Sequence, residues 1–137
     1  MGLTLEIVTP EKKVYSKAVN EVVLPTTTGE LDLLPGHLPL VTLLEPGEII
    51  AKGKEAVEHL AIDKGFARVK NDVISILTEA AIDVEDIDLS SVAEARKRAE
   101  QALAKAKEEN LDPAEIERLE AVSRFALVQQ LSKARKK

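Results

Sequence analysis

The chain has 137 residues, 31% charged and 45% hydrophobic, with a formal net charge of −5, the size of one ordinary domain or a small domain with an appendage. It holds no Cys, no Trp, two His, one Tyr and two Phe, which excludes a disulfide scaffold, a thiolate zinc site and a cysteine nucleophile, and argues against an aromatic platform for stacking bases. The opening residues lack the basic and apolar regions of a signal peptide, and no apolar run approaches the roughly 18 to 20 residues that cross a bilayer, so a cytosolic chain is expected.

Up to Asp86 the chain reads as short strands between turns. Leu3, Leu5 and Ile7 alternate with Thr4, Glu6 and Val8 until Thr9-Pro10 breaks the run. Val14-Tyr15 and Val22 to Leu24 follow, the second ended by Pro25. A turn at Thr26 to Glu30 leads to Leu31 to Leu34, and Pro35-Gly36 breaks that run in turn. Pro39 to Leu44, Ile49-Ile50, Val57 to Ile62, Phe66 to Val69 and Val73 to Leu77 come next, punctuated by Glu45-Pro46-Gly47, Gly53, Gly65 and Asn71-Asp72. This spacing of short runs and turn residues predicts an all-β sandwich or barrel.

The pattern then changes. From Leu89 to Lys107 there is no Gly or Pro, and Val92, Ala95, Ala99, Ala102, Leu103 and Ala106 make one helical stripe. Asp88 or Ser91 can cap this helix, and Ser91-Val92-Ala93-Glu94 fits a capping box. After a break at Glu108 to Leu111, a second helix runs from Pro113 towards Ala134. Asp112 is its expected N-cap, Pro113 takes its first position, and Glu115 is placed to reach back. Two helices so joined form an antiparallel hairpin. The second carries Ile116, Leu119, Val122, Phe125, Ala126, Leu127, Val128 and Leu131, more apolar surface than an Ala-rich partner covers. The surplus must meet the β-domain, another subunit, or a partner in another conformation. The expected fold is α+β: a β-sandwich domain over residues 1–86, then a two-helix hairpin over 87–137.

Charge is uneven. Residues 1–86 hold 8 Lys+Arg against 15 Asp+Glu, and residues 87–137 hold 11 against 9. From Arg118 onward six basic residues face only Glu120. Such a basic tip suits an acidic partner, and it equally suits a solvated helix end whose cations favour the macrodipole. Little reaction chemistry is available. Neither His37 nor His59 has a second ligand at metal spacing, and no phosphate-loop, dinucleotide or nucleophile-elbow motif occurs. Asp83, Glu85, Asp86 and Asp88 crowd the junction at a spacing that suits a linker or a helix cap. The chain is expected to be neither an enzyme on its own nor the holder of a metal or cofactor. Two turns, Thr27-Thr28-Gly29-Glu30-Leu31 and Leu34-Pro35-Gly36-His37, are expected to form one exposed ridge.

The ordered set of these pieces resembles the epsilon subunit family of bacterial F-type ATP synthase, called delta in mitochondria. It comprises Leu5 to Pro10 with Val14-Tyr15, Thr28-Gly29-Glu30-Leu31, Leu34 to Thr42, Glu45-Pro46-Gly47, Gly65-Phe66-Ala67 and Arg96 to Glu100. The resemblance covers essentially the whole chain and implies a sandwich of about ten strands followed by a helical hairpin. It implies a place in the central rotor stalk, coupling proton flow to ATP synthesis, with the sandwich bound to the gamma subunit and the c-ring. Gly29, Glu30, Leu31 and His37 fall on the c-ring edge, and Asp32, where many relatives have Gly, adds charge there. The hairpin is implied to be regulatory: folded, it packs on the sandwich; extended, its second helix opposes ATP hydrolysis in the catalytic head. Arg118, Val122, Arg124, Phe125, Val128, Leu131, Lys133 and Arg135 are then its contacts, the cations facing an acidic segment of the catalytic beta subunit, with alpha alongside.

Some relatives bind ATP on the folded hairpin through I-D-x-x-R-A. Ile87-Asp88 match, but Ser91 and Val92 stand at the Arg and Ala positions and Ile82 at an acidic one upstream. With only Asp88 and Arg98 left to serve, weak or absent ATP binding is expected. That nucleotide-sensing module is the alternative function. No nucleic-acid partner is expected, because the acidic body repels phosphate. The implied location is peripheral, on the cytoplasmic face of the bacterial cell membrane, with no span of its own.

Overall fold

A computed structural model of the chain describes residues 2–37, 39–110 and 112–135, the last without its side chain. The strands are β1 (Leu3–Val8), β2 (Lys13–Val19), β3 (Glu21–Thr26), β4 (Gly29–Leu33), β5 (Leu40–Leu44), β6 (Gly47–Lys52), β7 (Val57–Ile62), β8 (Gly65–Lys70), β9 (Val73–Thr78) and β10 (Ala81–Asp83). A short 3-10 turn, Val84–Asp86, leads to α1 (Leu89–Glu108) and α2 (Pro113–Arg135). β10 has no counterpart among the sequence-predicted runs, because three residues are too few to show a period.

The strands hydrogen-bond in the order β10-β7-β6-β3-β5-β8-β9-β1-β2, with β4 paired to β3 off this path. Alternate residues turn inward. Leu3, Leu5 and Ile7 of β1, Leu24 of β3, Ile49 of β6, Leu60 and Ile62 of β7, and Ile74 and Ile76 of β9 are fully buried. Each contributes about 1.5–3 kcal/mol through burial. The sheet bends back on itself, so its edge strand β2 comes up to β7 beside β10. Side chains close that seam: Tyr15 Oη donates to Glu58 at 2.9 Å and Lys17 Nζ pairs with the same carboxylate at 3.0 Å. Burial, and then the Glu58 carboxylate, push the Tyr15 phenol well above its ordinary range.

Gly65 at the start of β8 lies tight against the backbone of β9. A Cβ there would lie 2.0 Å from the Leu77 carbonyl oxygen, so no larger residue fits without moving β9. The β8–β9 turn is made by Asn71 and Asp72 at φ 52° and 60°, the left-handed pair of a tight hairpin.

Asp88, not Ser91, caps α1. Its carboxylate accepts from the N–H groups of Ser90 at 3.0 Å and Ser91 at 3.4 Å, and the Ser91 hydroxyl donates to it at 3.1 Å. These bonds hold the Asp88 carboxyl below its usual range. Ser91 therefore lies within the first turn, and the capping box with Glu94 does not form. In α2 Asp112 does cap, accepting from Ala114 N–H at 2.9 Å. Glu115 turns away from the cap to pair with Arg118. Of the α1 stripe, Val92, Ala99 and Ala106 are buried, one every seven residues, while Ala102 is exposed. The seam with α2 is thus narrower than the stripe.

Candidate functional site

The surplus apolar face of α2 meets the sandwich. Phe125, Ala126 and Val128 pack with Ile82, Ala61, Val84, Ile87 and Val92 in a second core, separate from the sandwich interior. Three polar contacts orient it. Arg124 donates from Nε and Nη2 to the two oxygens of Asp63, at 2.9 and 3.1 Å. Lys133 Nζ reaches the carbonyls of Val84 and Glu85 at 3.2 and 3.3 Å. Arg96 of α1 donates to Gln130 of α2 at 2.8 Å. The hairpin is therefore folded down on β6, β7 and the 3-10 turn. Beside it runs a groove of about 450 Å³, lined by Asp63, Ser91, Arg118, Val122, Phe125 and Gln129 among others.

The regulatory set read from the sequence is divided by this packing. Phe125 and Val128 are half-buried against the sandwich, Arg124 and Lys133 are engaged within the chain, and Arg118 is exposed beside Glu115. Val122 and Leu131 remain open to solvent at 42% and 56%, with Leu127 near them in exposure. The Arg135 side chain lies outside the described residues. Asp63 was not singled out in the sequence; a lone Asp before Lys64-Gly65 reads as turn chemistry.

The two turns expected to share a ridge lie at opposite ends of β4. Gly29 opens that strand at φ 117°, and Gly36 follows its end at φ 86°. β4 itself separates them by about 13 Å at 3.3 Å per residue. Antiparallel pairing with β3 folds the first turn back, whereas the second leads away into β5. Glu30 and Asp32 sit on the exposed face of β4, while Leu31 and Leu33 turn inward. Asp32 is hydrogen-bonded to Glu21 of β3, and that bond raises the Glu21 carboxyl above its ordinary value. Asp72 anchors the second turn, its Oδ1 accepting from Gly36 N–H at 2.8 Å, and His37 N–H donates to Leu34 O at 3.3 Å. Asp88 is committed to capping, and Arg98 is exposed on α1.

One surface escaped the sequence reading. Strand register lines up Leu43, Phe66, Leu77 and Val8 in a single row across β5, β8, β9 and β1. Leu43, Phe66 and Leu77 are 63%, 44% and 45% exposed, and Val41 beside them is 68% exposed. The row floors a trough of about 650 Å³ that also includes Thr9, Pro10 and Thr27. The visible signal was that β5 is apolar on both faces. Isolated exposed Leu or Val residues are ordinary, but a contiguous row marks an interaction surface.

A β-sandwich with an open apolar row on one set of strands and a docked helical hairpin on another defines an interaction module. Residues 2–84 match the model of the ATP synthase, Delta/Epsilon chain, beta-sandwich domain. The ATP synthase epsilon chain of Halalkalibacterium halodurans is 42% identical over 110 residues, 80% of this chain and 83% of that one. That of Geotalea daltonii is 41% identical over 103 residues, 75% of each chain. Among solved structures, a chain of the Euglena gracilis mitochondrial ATP synthase, OSCP/F1/c-ring in rotational state 1, shares the fold at a TM-score of 0.70 and 24% identity, covering 96% of this chain and 81% of that one. A chain of the Tetrahymena thermophila central stalk/c-ring structure covers 63% and 69% at a TM-score of 0.53 and 15% identity. The chain belongs to the ATP synthase delta/epsilon family. Among its described residues no helix is long and apolar enough to cross a membrane.

Proposed function

We propose that this chain works in the central rotor stalk of an F-type ATP synthase, at the cytoplasmic face of a bacterial membrane. Residues 1–86 bind the stalk, and residues 87–137 form a movable hairpin that restrains ATP hydrolysis. The observation that carries this reading is the division of contact surfaces. The row from Val8 to Leu43 is left open while the hairpin rests on other strands, so both can be used independently. The gamma subunit takes the apolar row. The turn at Gly29, Glu30, Leu31 and Asp32, and that at His37, face polar loops of the c-ring. Because β4 holds these turns apart, they meet the ring at two points and not along one ridge.

The second core is small, with few large side chains, and Lys133 and Arg124 add polar contacts that water can replace. An interface of that kind can open without unfolding the sandwich. In the extended state Arg118, Arg124, Lys133 and Arg135 face an acidic segment of the catalytic beta subunit, and Val122, Phe125, Val128 and Leu131 supply apolar contact. The ATP-sensing alternative is weaker, since Asp88 is occupied by the α1 cap and Ser91 offers no guanidinium. The test is a complex in which the chain ends after Asp88. Assembly is expected to persist while ATP hydrolysis rises; hydrolysis unchanged from the full-length complex refutes the inhibitory role.

A further inference from the structure

Asp63 stands at the β7–β8 turn, and the sandwich fixes it from several sides. Its Oδ1 accepts from Lys64 N–H at 2.8 Å, its own N–H donates to Ala80 O at 3.0 Å, and its carbonyl accepts the Thr78 hydroxyl at 2.9 Å. The side chain is only 3% exposed, yet its guanidinium partner, Arg124, arrives on α2 and is 35% exposed. A carboxylate so placed makes demands on the helix above it. Removing one member of a buried ion pair leaves an uncompensated charge and is strongly unfavourable. Sliding α2 by one turn moves the guanidinium about 5.4 Å, out of bonding range. The apolar contacts of Phe125 and Val128 are not directional and do not by themselves forbid such a slide. When the whole hairpin leaves, the penalty disappears, because water reaches Asp63 and Arg124 departs with its donors unpaired.

We propose that Asp63 is the specificity-determining residue of hairpin docking. It fixes the register of α2 on the sandwich, and in the folded state it occupies the guanidinium that a carboxylate of the catalytic partner takes in the extended state. Docking and hand-over therefore compete for one side chain. The link to hydrolysis rests on the functional reading above; the docking equilibrium does not.

The absence of Cys allows two spin labels to be placed without background, one on Ala56→Cys in the β6–β7 turn and one on Ala134→Cys near the end of α2. In the isolated full chain the parent is expected to give one distance. Asp63→Asn and Arg124→Gln are each expected to raise a longer-distance population about tenfold or more, with helical circular dichroism retained. Arg124→Lys restores the parent distance only in part, because an ammonium cannot make the two parallel bonds. Arg124→Gln leaves the sandwich untouched, so a misfolded Asp63→Asn does not rescue the idea. Unchanged distances in Arg124→Gln overturn it. In the assembled complex Asp63→Asn is expected to hydrolyse ATP more slowly than the parent, and Arg124→Gln faster than Asp63→Asn. Shifted distances with equal hydrolysis in all complexes support the docking role and overturn the hand-over.

Discussion

At the scale of single residues, charge placement on the sandwich is under tension. Glu21 lies directly across from Lys52 of β6, 3.6 Å away, and beside Asp32 of β4. The hydrogen bond to Asp32 is the largest influence and requires one carboxyl to keep its proton, so the Glu21 value is raised, with Lys52 opposing. A carboxyl raised on folding contributes stability below its ordinary value, and that contribution is lost as pH rises through the raised folded value. At pH 7 that contribution is gone. Glu21→Gln keeps the hydrogen bond without needing a proton. Its thermal midpoint is expected to exceed the parent's at pH 7, with the gap narrowing at pH 4. A lower midpoint at pH 7 means that the Lys52 pair dominates.

At the scale of elements, α1 and α2 meet through small side chains. Val92, Ala99 and Ala106 are the buried residues of α1, and Ala126 of α2 is buried in one cluster with Val92. Methyl groups let the two axes approach closely but bury little area, so the hairpin has scant room to adjust. Ala99→Leu is expected to cost about 1–3 kcal/mol by overpacking. Helical circular dichroism should then melt earlier, while near-ultraviolet signal from Tyr15, at the seam of the sandwich, holds to the parent temperature. Simultaneous loss of both signals is the contrary result and makes the hairpin and sandwich one cooperative unit.

At the scale of the molecule, two surfaces and their partners set the function. The Val8–Leu77–Phe66–Leu43 row crosses four strands, so one charge at its centre disrupts the whole trough. Phe66 is 44% exposed and outside the core, and Phe66→Asp is expected to leave the isolated fold intact. Co-purification with the gamma subunit should fall by at least tenfold, a loss of about 1.4 kcal/mol or more. Retained binding moves the gamma site elsewhere. A charge on Val122 or Leu131, by contrast, should spare assembly and relieve inhibition only, because these residues lie on α2 and not among the strands that form the row.

The sequence alone determined what is local. Alternation from Leu3 to Val8, the Asn71-Asp72 turn, the gap in Gly and Pro from Leu89 and the Asp112-Pro113 start are short-range physics, written in neighbouring residues. The family resemblance was legible too, since its motifs are contiguous runs. What tertiary structure alone decided joins residues far apart in the chain. Strand register turned four unremarkable apolar residues into one row, and β4 set Glu30 and His37 apart although only a few positions separate them. Burial made Asp63 the partner of Arg124, sixty-one positions away. A side chain's own type fixes its charge and its preferred backbone, but what it faces is set by how the sheet closes and where the helix lands.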